Sequence, residues 1–255
     1  MDNILEGRIE KLIEPVWFIQ PHFVEDKGIS FNKIESQFGG SPYLQLNESL
    51  PVCASCDTPL DFIFQLDLSQ WQGVKNFKFS FINLFYCWEC MPLTPEFNGE
   101  KDPMKSLEIR TYRKATLEKY KPIEIPMESV TLTGDINFSE GELLPDYKDL
   151  EKIDEVLYST INELSQKANL NEVEYWENLV EAACGTLDSY SFIGGYPQWI
   201  NKPNIPECEV CAIPMKFVCQ IDSHEEIDLI WGDKGCMYLF SCEKHNKNQK
   251  AIIQY

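Results

Sequence analysis

The chain has 255 residues, of which 44% are hydrophobic and 25% are charged, so disordered, collagen-like and membrane-spanning classes are unfavoured. It begins "MDNILEGRIEKLIEPVWF" without the apolar stretch of a signal peptide, and no later run reaches the roughly 18 apolar residues of a membrane span. The formal net charge of −19 disfavours contact with nucleic-acid phosphates. We therefore expect a soluble, cytoplasmic protein that binds neither nucleic acid nor membrane.

One segment of the chain recurs. Residues 39–90 align with residues 194–245 at a constant offset of 155 without a gap, and 13 of these 52 pairs are identical. The identical pairs are of types that form turns, bind metals or pack in cores, so we predict that one structural unit was duplicated into two pseudo-symmetric halves. They include Gly39/Gly194, Gly40/Gly195, Pro42/Pro197, Pro51/Pro206, Cys53/Cys208, Cys56/Cys211, Gln65/Gln220 and Cys87/Cys242.

Two segments in each copy predict β-strands. Residues 60–67 alternate apolar and polar side chains, which predicts a half-buried strand, and residues 215–222 alternate in phase with Cys219 in a core position. The aromatic-rich "FKFSFINLFYC" and "CMYLFSC" predict a second strand that leads directly into further cysteines. Between the copies, "LEIRTYR" predicts one more strand.

Residues 150–184 have helical periodicity. A first amphipathic helix is predicted from apolar residues spaced three and four apart, and a second begins at the cap Asn171, with Glu174 three residues on, and ends near Cys184 and Gly185. From Asp135 to Asp188 there are fourteen acidic and three basic residues, so we expect these helices to direct carboxylates outward. The apolar positions of the first helix are Leu150, Ile153, Val156, Leu157, Ile161 and Leu164.

Together these elements predict an α+β fold in which two β-rich halves with zinc-ribbon-like knuckles are joined by a helical connector. The N-terminal half covers residues 1–92, the connector covers residues 93–190, and the C-terminal half covers residues 191–255. We expect the three parts to form one compact pseudo-symmetric assembly.

The cysteines predict two metal sites. Two C-x-x-C pairs separated by thirty residues have the spacing of a zinc ribbon, and the second copy has the same spacing with histidine as its fourth ligand. Redox dithiols usually open a helix, whereas Pro59 and Pro214 follow these pairs. We predict two structural Zn²⁺ ions with closed shells, and Cys184, Cys219 and Cys236 as packing residues. The predicted ligands are Cys53, Cys56, Cys87 and Cys90 in the first site and Cys208, Cys211, Cys242 and His245 in the second.

No catalytic motif is present in the sequence, and we expect no enzyme activity. His22 and His224 are the histidines outside the predicted sites. His224 lies in "DSHEE", where the neighbouring carboxylates favour a charged, solvated surface histidine over a general base.

The segment "IWGDKG", residues 230–235, replaces "KNFKFS" of the first copy. Its glycines suit a tight turn, and Trp231 is expected to lie against Trp199 or Tyr196. Two interpretations remain open at this point, a packed turn and a binding platform. The platform would consist of Tyr196, Trp199, Trp231 and Asp233.

The motifs "IGGYPQWI", "CxxC", "MKFVCQID", "WGDKG" and "YLFSC", in this order, resemble the YwqG-like bacterial proteins of unknown function. The first copy, with "FGGSPYLQL", "CASC", "LDFIFQLD" and "LFYCWEC", is similar to the zinc-binding repeats of the eukaryotic programmed-cell-death-protein-two family. The resemblance implies a mixed, β-rich fold with two related halves and no established enzyme activity. It also implies two roles, chaperoning of a basic ribosomal protein in the second family and an association with toxin clusters in the first.

Three functional hypotheses follow. The first is a non-enzymatic, zinc-stabilised module that holds a basic client protein, as the acidic helical insert suggests. The second is an immunity protein that neutralises one toxin. The third is an enzyme, which would require an open pocket with convergent polar groups.

Overall fold

The computed structural model describes residues 3–25, 33–71, 73, 77–90, 106–124, 129–245 and 247–255. The predicted boundary between residues 92 and 93 lies outside these residues, and the three-part division stays a prediction. The helices are α1 Asn3–Leu12, α2 Tyr147–Ile153, α3 Glu155–Ala168 and α4 Glu172–Cys184. The strands are β1 Glu14–Phe23, β2 Gln37–Phe38, β3 Tyr43–Gln45, β4 Asp61–Asp67, β5 Phe81–Tyr86, β6 Leu107–Tyr112, β7 Tyr120–Pro122, β8 Gly134–Leu143, β9 Phe192–Gly194, β10 Lys216–Asp222, β11 Cys236–Ser241 and β12 Gln249–Gln254.

Ten of these strands form one antiparallel sheet in the order β12-β11-β10-β9-β1-β8-β2-β4-β5-β6, and β3 pairs with β7 separately. The long strands β1 and β8 pair over ten residues at the centre of the large sheet. The outer side of β1 pairs with β9, and the outer side of β8 pairs with β2. Strand β1 therefore extends the part of the sheet that the second repeat segment forms, and β8 extends the part that the first forms. Both repeat segments contribute strands to one sheet.

The two ends of the large sheet approach each other. The side chain of Gln249 on β12 donates to the Thr111 hydroxyl on β6 at 3.2 Å, and Lys78 donates to the backbone oxygen of Lys244 at 3.2 Å. The sheet is thus curled around a continuous apolar core that both copies fill. Representative fully buried members are Ile63, Phe64 and Leu84 from the first copy and Val218, Cys219 and Leu239 from the second.

Positions 155 residues apart make the same contacts. Strands β4 and β10 each contain a bulge, between Phe62 and Phe64 and between Phe217 and Cys219. The buried amide of Gln65 accepts from the Tyr43 N–H and donates to the Glu35 carbonyl, and Gln220 bonds Gln198 and Tyr190 in the same way. The two copies therefore agree in local geometry as well as in sequence.

The predicted alternation along residues 60–67 is wrong. All five central residues of β4 are buried, because the sheet is covered on both faces. The bulge shifts the alternation, so that Phe62 packs beside the cysteines while Ile63 and Phe64 both belong to the main core. The strands predicted for "FKFSFINLFYC", "LEIRTYR" and "CMYLFSC" are present as β5, β6 and β11, and Cys219 is fully buried as expected.

The described residues of the connector form three helices where two were predicted. The first predicted helix is interrupted at Asp154, whose N–H donates to the Leu150 carbonyl and whose carboxylate accepts from the Leu157 N–H. Ile153 and Val156, expected on the apolar stripe, are exposed on either side of this junction. The second predicted helix is α4, and it is capped by Asn171 and followed by Gly185, as expected.

The helices pack around their own apolar cluster beside the sheet. Trp176 is 2% exposed at its centre and donates its indole N–H to the Pro145 carbonyl at 2.9 Å. The cluster includes Leu5, Ile9, Leu150, Leu157 and Ile161. Across the described part of the chain, no helix is both long and apolar enough for a membrane crossing.

Candidate metal centres

The first C-x-x-C pair of each copy, Cys53/Cys56 or Cys208/Cys211, forms a tight turn shortly before strand β4 or β10. The Cys53 N–H donates to the Thr58 carbonyl and the Asp57 N–H to the Cys53 carbonyl, at 2.8 and 2.9 Å. The equivalent bonds of Cys208 and Ala212 measure 3.0 and 2.8 Å. The residue after the second cysteine has a left-handed backbone in both turns, with φ of 59° at Asp57 and 50° at Ala212. We call these two turns the knuckles.

Strand pairing brings the second ligand pair to each knuckle. Because β5 is antiparallel to β4, its last residue Tyr86 lies opposite Asp61 at the start of β4, beside the first knuckle. Cys87 follows directly, and Cys242 follows the end of β11 in the same way. The eight predicted ligands therefore form two clusters, and within each cluster the ligand atoms lie within 4.8 Å of one another.

The distances in both clusters suit a tetrahedral ion. The Cys56 and Cys87 sulfurs are 3.7 Å apart, as are those of Cys211 and Cys242. The Nδ1 atom of His245 is 3.5 Å from the sulfurs of Cys208 and Cys242. An ion with metal–sulfur bonds of about 2.3 Å at tetrahedral angles separates its sulfurs by about 3.8 Å. A disulfide would require about 2.05 Å, and none of the ten cysteines, all of which lie in the described residues, forms one.

The pKa values of the thiols indicate that a bound cation would stabilise their ionised forms. Burial opposes ionisation of Cys53, but the N–H groups of Ser55 and Cys56 outweigh it and lower the pKa of this thiol to about 6. The pKa of Cys90 is raised to about 12, chiefly by its contact with Cys56, with burial second. Ionisation of one thiol thus opposes ionisation of its neighbours, and a divalent cation would remove this opposition. A thiolate-rich donor set of this kind fits a soft or borderline metal ion.

Both clusters lie between the sheet and the surface. The first packs against Leu44, Phe62 and Phe85, and the second packs against Trp199 and Phe240. The cysteines predicted as packing residues belong to neither ligand cluster, although Cys236 packs in the same apolar group as Cys208 and Cys242. Cys219 and Cys236 are buried and Cys184 is half-buried, and burial raises the pKa of each of these thiols.

The four aromatic-platform candidates do not form one surface. Trp199 is 3% exposed and stacks on Tyr238 with ring centres 4.7 Å apart, while Tyr196 is half-buried and Asp233 is exposed. Trp231 is fully buried and belongs to a different apolar cluster from Trp199. It stacks on Trp88 of the first copy at 5.7 Å, a partner that the sequence comparison did not indicate. Residues 231–235 form a packed turn, in which the Gly235 N–H donates to the Trp231 carbonyl.

The expectation of a solvated, charged His224 is wrong. Its side chain is 12% exposed, its ring packs edge-on against Phe38, and its Nε2 atom lies 2.7 Å from the Ser191 hydroxyl. Burial lowers the pKa of His224, against the smaller opposing effect of Glu226. The pair resembles a nucleophile and base, but Ser191 is fully buried and its oxygen accepts the Asp222 N–H. Ser36, the equivalent residue of the first copy, accepts the Asp67 N–H in the same way. Ser191 therefore has a structural role.

The architecture is that of a mostly β protein with two metal-ligand clusters in equivalent positions. A family model described as "Domain of unknown function (DUF1963)" matches residues 36–250, and the chain belongs to this family. The chain is also 35% identical over 54 residues to the uncharacterized protein YpfL of Salmonella typhimurium. That match covers 21% of this chain and 12% of YpfL. The resemblances to YwqG-like proteins and to the programmed-cell-death-protein-two repeats stay predictions.

Proposed function

We propose that each cluster binds one Zn²⁺ ion with a structural role. Four cysteines, or three cysteines and one histidine, complete a tetrahedral shell, and catalytic zinc usually keeps one position for water or substrate. The sulfur separations of 3.7 Å and the sulfur–nitrogen separations of 3.5 Å support zinc-sized coordination. The shared offset of the two clusters supports the origin of both halves by duplication.

We further propose that the protein is a non-enzymatic binding module that holds a basic partner protein. The observation that carries this proposal is the outward acidic face of α3 and α4. Fourteen acidic and three basic residues between Asp135 and Asp188 leave a formal charge of −11 in that segment. The buried residues of these helices are apolar or uncharged, whereas the glutamates at positions 155, 163, 174 and 181 are exposed. Such a face attracts a cationic partner and repels nucleic acid.

Affinity purification from the native cell tests this proposal. At low salt we expect a basic protein to co-purify, and we expect its recovery to fall as salt rises, because exposed charges are screened over about 10 Å at 0.1 M. The fold should respond little to the same salt. The identity of the partner also decides the second hypothesis, since a toxin neutralised by this protein would be recovered in the same experiment.

Reversing the charge of four glutamates tests whether the acidic face of α3 and α4 binds the partner. Replacing Glu155, Glu163, Glu174 and Glu181 by lysine should strongly reduce recovery of the partner. A matched control reverses four exposed glutamates outside the helices, which changes the net charge equally. These are Glu25, Glu118, Glu124 and Glu207. Equal losses in the two variants, or recovery that does not depend on salt, would contradict the proposal.

A further inference from the structure

A groove of about 610 Å³ lies between α4, the start of α2 and the segment that leads into the second copy. Trp176 and Trp199, each no more than 3% exposed, lie at its base. We call this feature the α4 groove. Its apolar walls are formed by Val173, Val180, Leu187, Tyr190 and Ile200.

The walls of the α4 groove expose large apolar side chains. Val173 is 42% exposed, Ile200 is 43% exposed and Tyr190 is 59% exposed. Single exposed apolar residues are ordinary, but three around one concavity indicate a surface that is covered by a ligand. Tyrosine is one of the residue types enriched at protein interfaces, and Tyr190 is the most exposed of the three.

The rim of the α4 groove is acidic. Glu177 and Glu181 lie one turn apart on α4, and both are exposed. Among the described residues that line the groove, Lys148 is the one basic residue, and its ammonium group donates to the carbonyls of Trp199 and Ile200. It also lies 3.8 Å from Asp146. The lysine that lines this part of the described structure is therefore already engaged, and the charges that its neighbours Glu177 and Glu181 present to a ligand are negative.

We propose that the α4 groove binds a short segment of the partner in which an apolar side chain is flanked by lysine or arginine. The apolar side chain would pack against the exposed wall residues Val173, Tyr190 and Ile200, and the flanking cations would lie beside Glu177 and Glu181. This inference rests on the proposed function and adds the place and the chemistry of recognition. A volume of about 610 Å³ is in the range of sites that enclose a small ligand or a few side chains.

The charge of the molecule argues against a second copy as the occupant. The chain carries a formal net charge of −19, so binding of a second copy would bring further negative charge to an acidic rim. The same repulsion applies to nucleic acid. A basic segment of a different protein is the occupant that both the apolar walls and the acidic rim favour.

A labelled peptide tests the proposal directly. The probe is Gly-Lys-Arg-Leu-Trp-Arg-Lys-Gly with a fluorescein label, titrated with the zinc-loaded full-length protein while anisotropy is measured. Two control peptides replace Leu-Trp by Ala-Ala or replace every Lys and Arg by Glu. We expect saturable binding of the first peptide, at least about tenfold weaker binding of the alanine peptide and no binding of the glutamate peptide.

The apolar wall is tested with two matched valines. Val173 and Val156 are each the second residue of a helix and are each exposed, but only Val173 lines the groove. Val173→Ser, and more strongly Tyr190→Ser, should weaken binding of the first peptide, the latter by about tenfold. Val156→Ser should leave the affinity unchanged. Circular dichroism and zinc content establish that each variant is folded.

The rim is tested by two double reversals of equal charge. Glu177→Lys with Glu181→Lys should weaken binding more than Glu155→Lys with Glu163→Lys, because only the first pair lines the groove. Equal effects of the two reversals, or of the two valine substitutions, would overturn the proposal. If the groove variants still recover the basic partner while the four-glutamate reversal does not, the inference fails and the proposed function stands. If neither set affects recovery, both fail.

Discussion

Asp57 and Ala212 occupy the same position in the two knuckles, and both have a left-handed backbone. For a residue with a Cβ atom, this conformation costs roughly 1–2 kcal/mol, because Cβ approaches the following carbonyl oxygen. Aspartate tolerates it better than alanine, since its short polar side chain can bond the local backbone. The second knuckle therefore holds more backbone strain than the first.

Glycine at position 212 should stabilise the protein. We expect Ala212→Gly to raise the free energy of unfolding by about 0.5–1 kcal/mol, and Asp57→Gly to raise it by less. Denaturant unfolding of the zinc-loaded protein measures both. Ala182→Gly on the exposed face of α4 is the control, with an expected loss of up to about 1 kcal/mol. A loss for Ala212→Gly as large as the control loss would refute the strain argument.

At the scale of elements, the junction between α2 and α3 depends on one carboxylate. Asp154 ends α2 with its N–H, begins α3 with its side chain, and receives a hydrogen bond from Arg8 of α1 at 2.6 Å. Burial opposes ionisation of Asp154, but the Leu157 N–H and Arg8 outweigh it and hold its pKa below the usual value. This one residue therefore forms hydrogen bonds with residues of three helices.

Two substitutions separate the roles of Asp154. Asp154→Ala removes the cap and the ion pair and should lower the free energy of unfolding by about 1–2 kcal/mol. Asp154→Asn keeps a capping oxygen and loses the partly exposed pair with Arg8, so it should cost less than about 1 kcal/mol. Because the folded pKa is lowered, the contribution of the wild-type carboxylate should persist above pH 4 and disappear as the pH falls further. Urea titrations at several pH values measure this, and equal losses for both variants would exclude a capping role.

The sequence predicted the elements whose signals are local. The ligand spacing and the cap at Asn171 each depend on a few neighbouring residues, and both clusters and α4 are present. The break at Asp154 interrupts a continuing apolar pattern, and part of its support comes from Arg8, far away in the chain. The prolines at positions 15 and 21 interrupt the strand pattern of β1, so the sequence did not indicate this strand. Its partner β8 does have such a pattern, in which Ile136 and Phe138 alternate with polar residues. The burial of His224 follows from packing that neighbouring residues do not indicate.

In the whole molecule, the two clusters of potential metal ligands lie at separate places in the sheet, one beside β4 and β5 and the other beside β10 and β11. The first cluster packs in an apolar group around Phe62 and Phe85, and the second packs in another group around Tyr238 and Phe240. Both groups are separate from the main core. Each knuckle is short and contributes little apolar area of its own. If zinc fills both clusters, its binding free energy adds directly to folding free energy.

Metal removal should therefore destabilise the fold. We expect elemental analysis to find two zinc ions per chain in protein purified without added metal, and a chelator to lower the melting temperature. Cys87→Ser should lose one ion, whereas Cys236→Ser, at a buried cysteine outside both clusters, should keep two. A zinc content near zero in the folded protein, or equal zinc loss in the two variants, would contradict the assignment.

The crossed pairing of the long strands determines when the protein can fold during its synthesis. β1 is synthesised before both of its neighbours, because β8 ends at Leu143 and β9 begins at Phe192. Until both have emerged from the ribosome, β1 has unpaired edges and an uncovered apolar face, which is a state prone to aggregation. Contacts so distant in sequence also slow folding. A fragment that ends before β9 would leave the central strand β1 unpaired on one side.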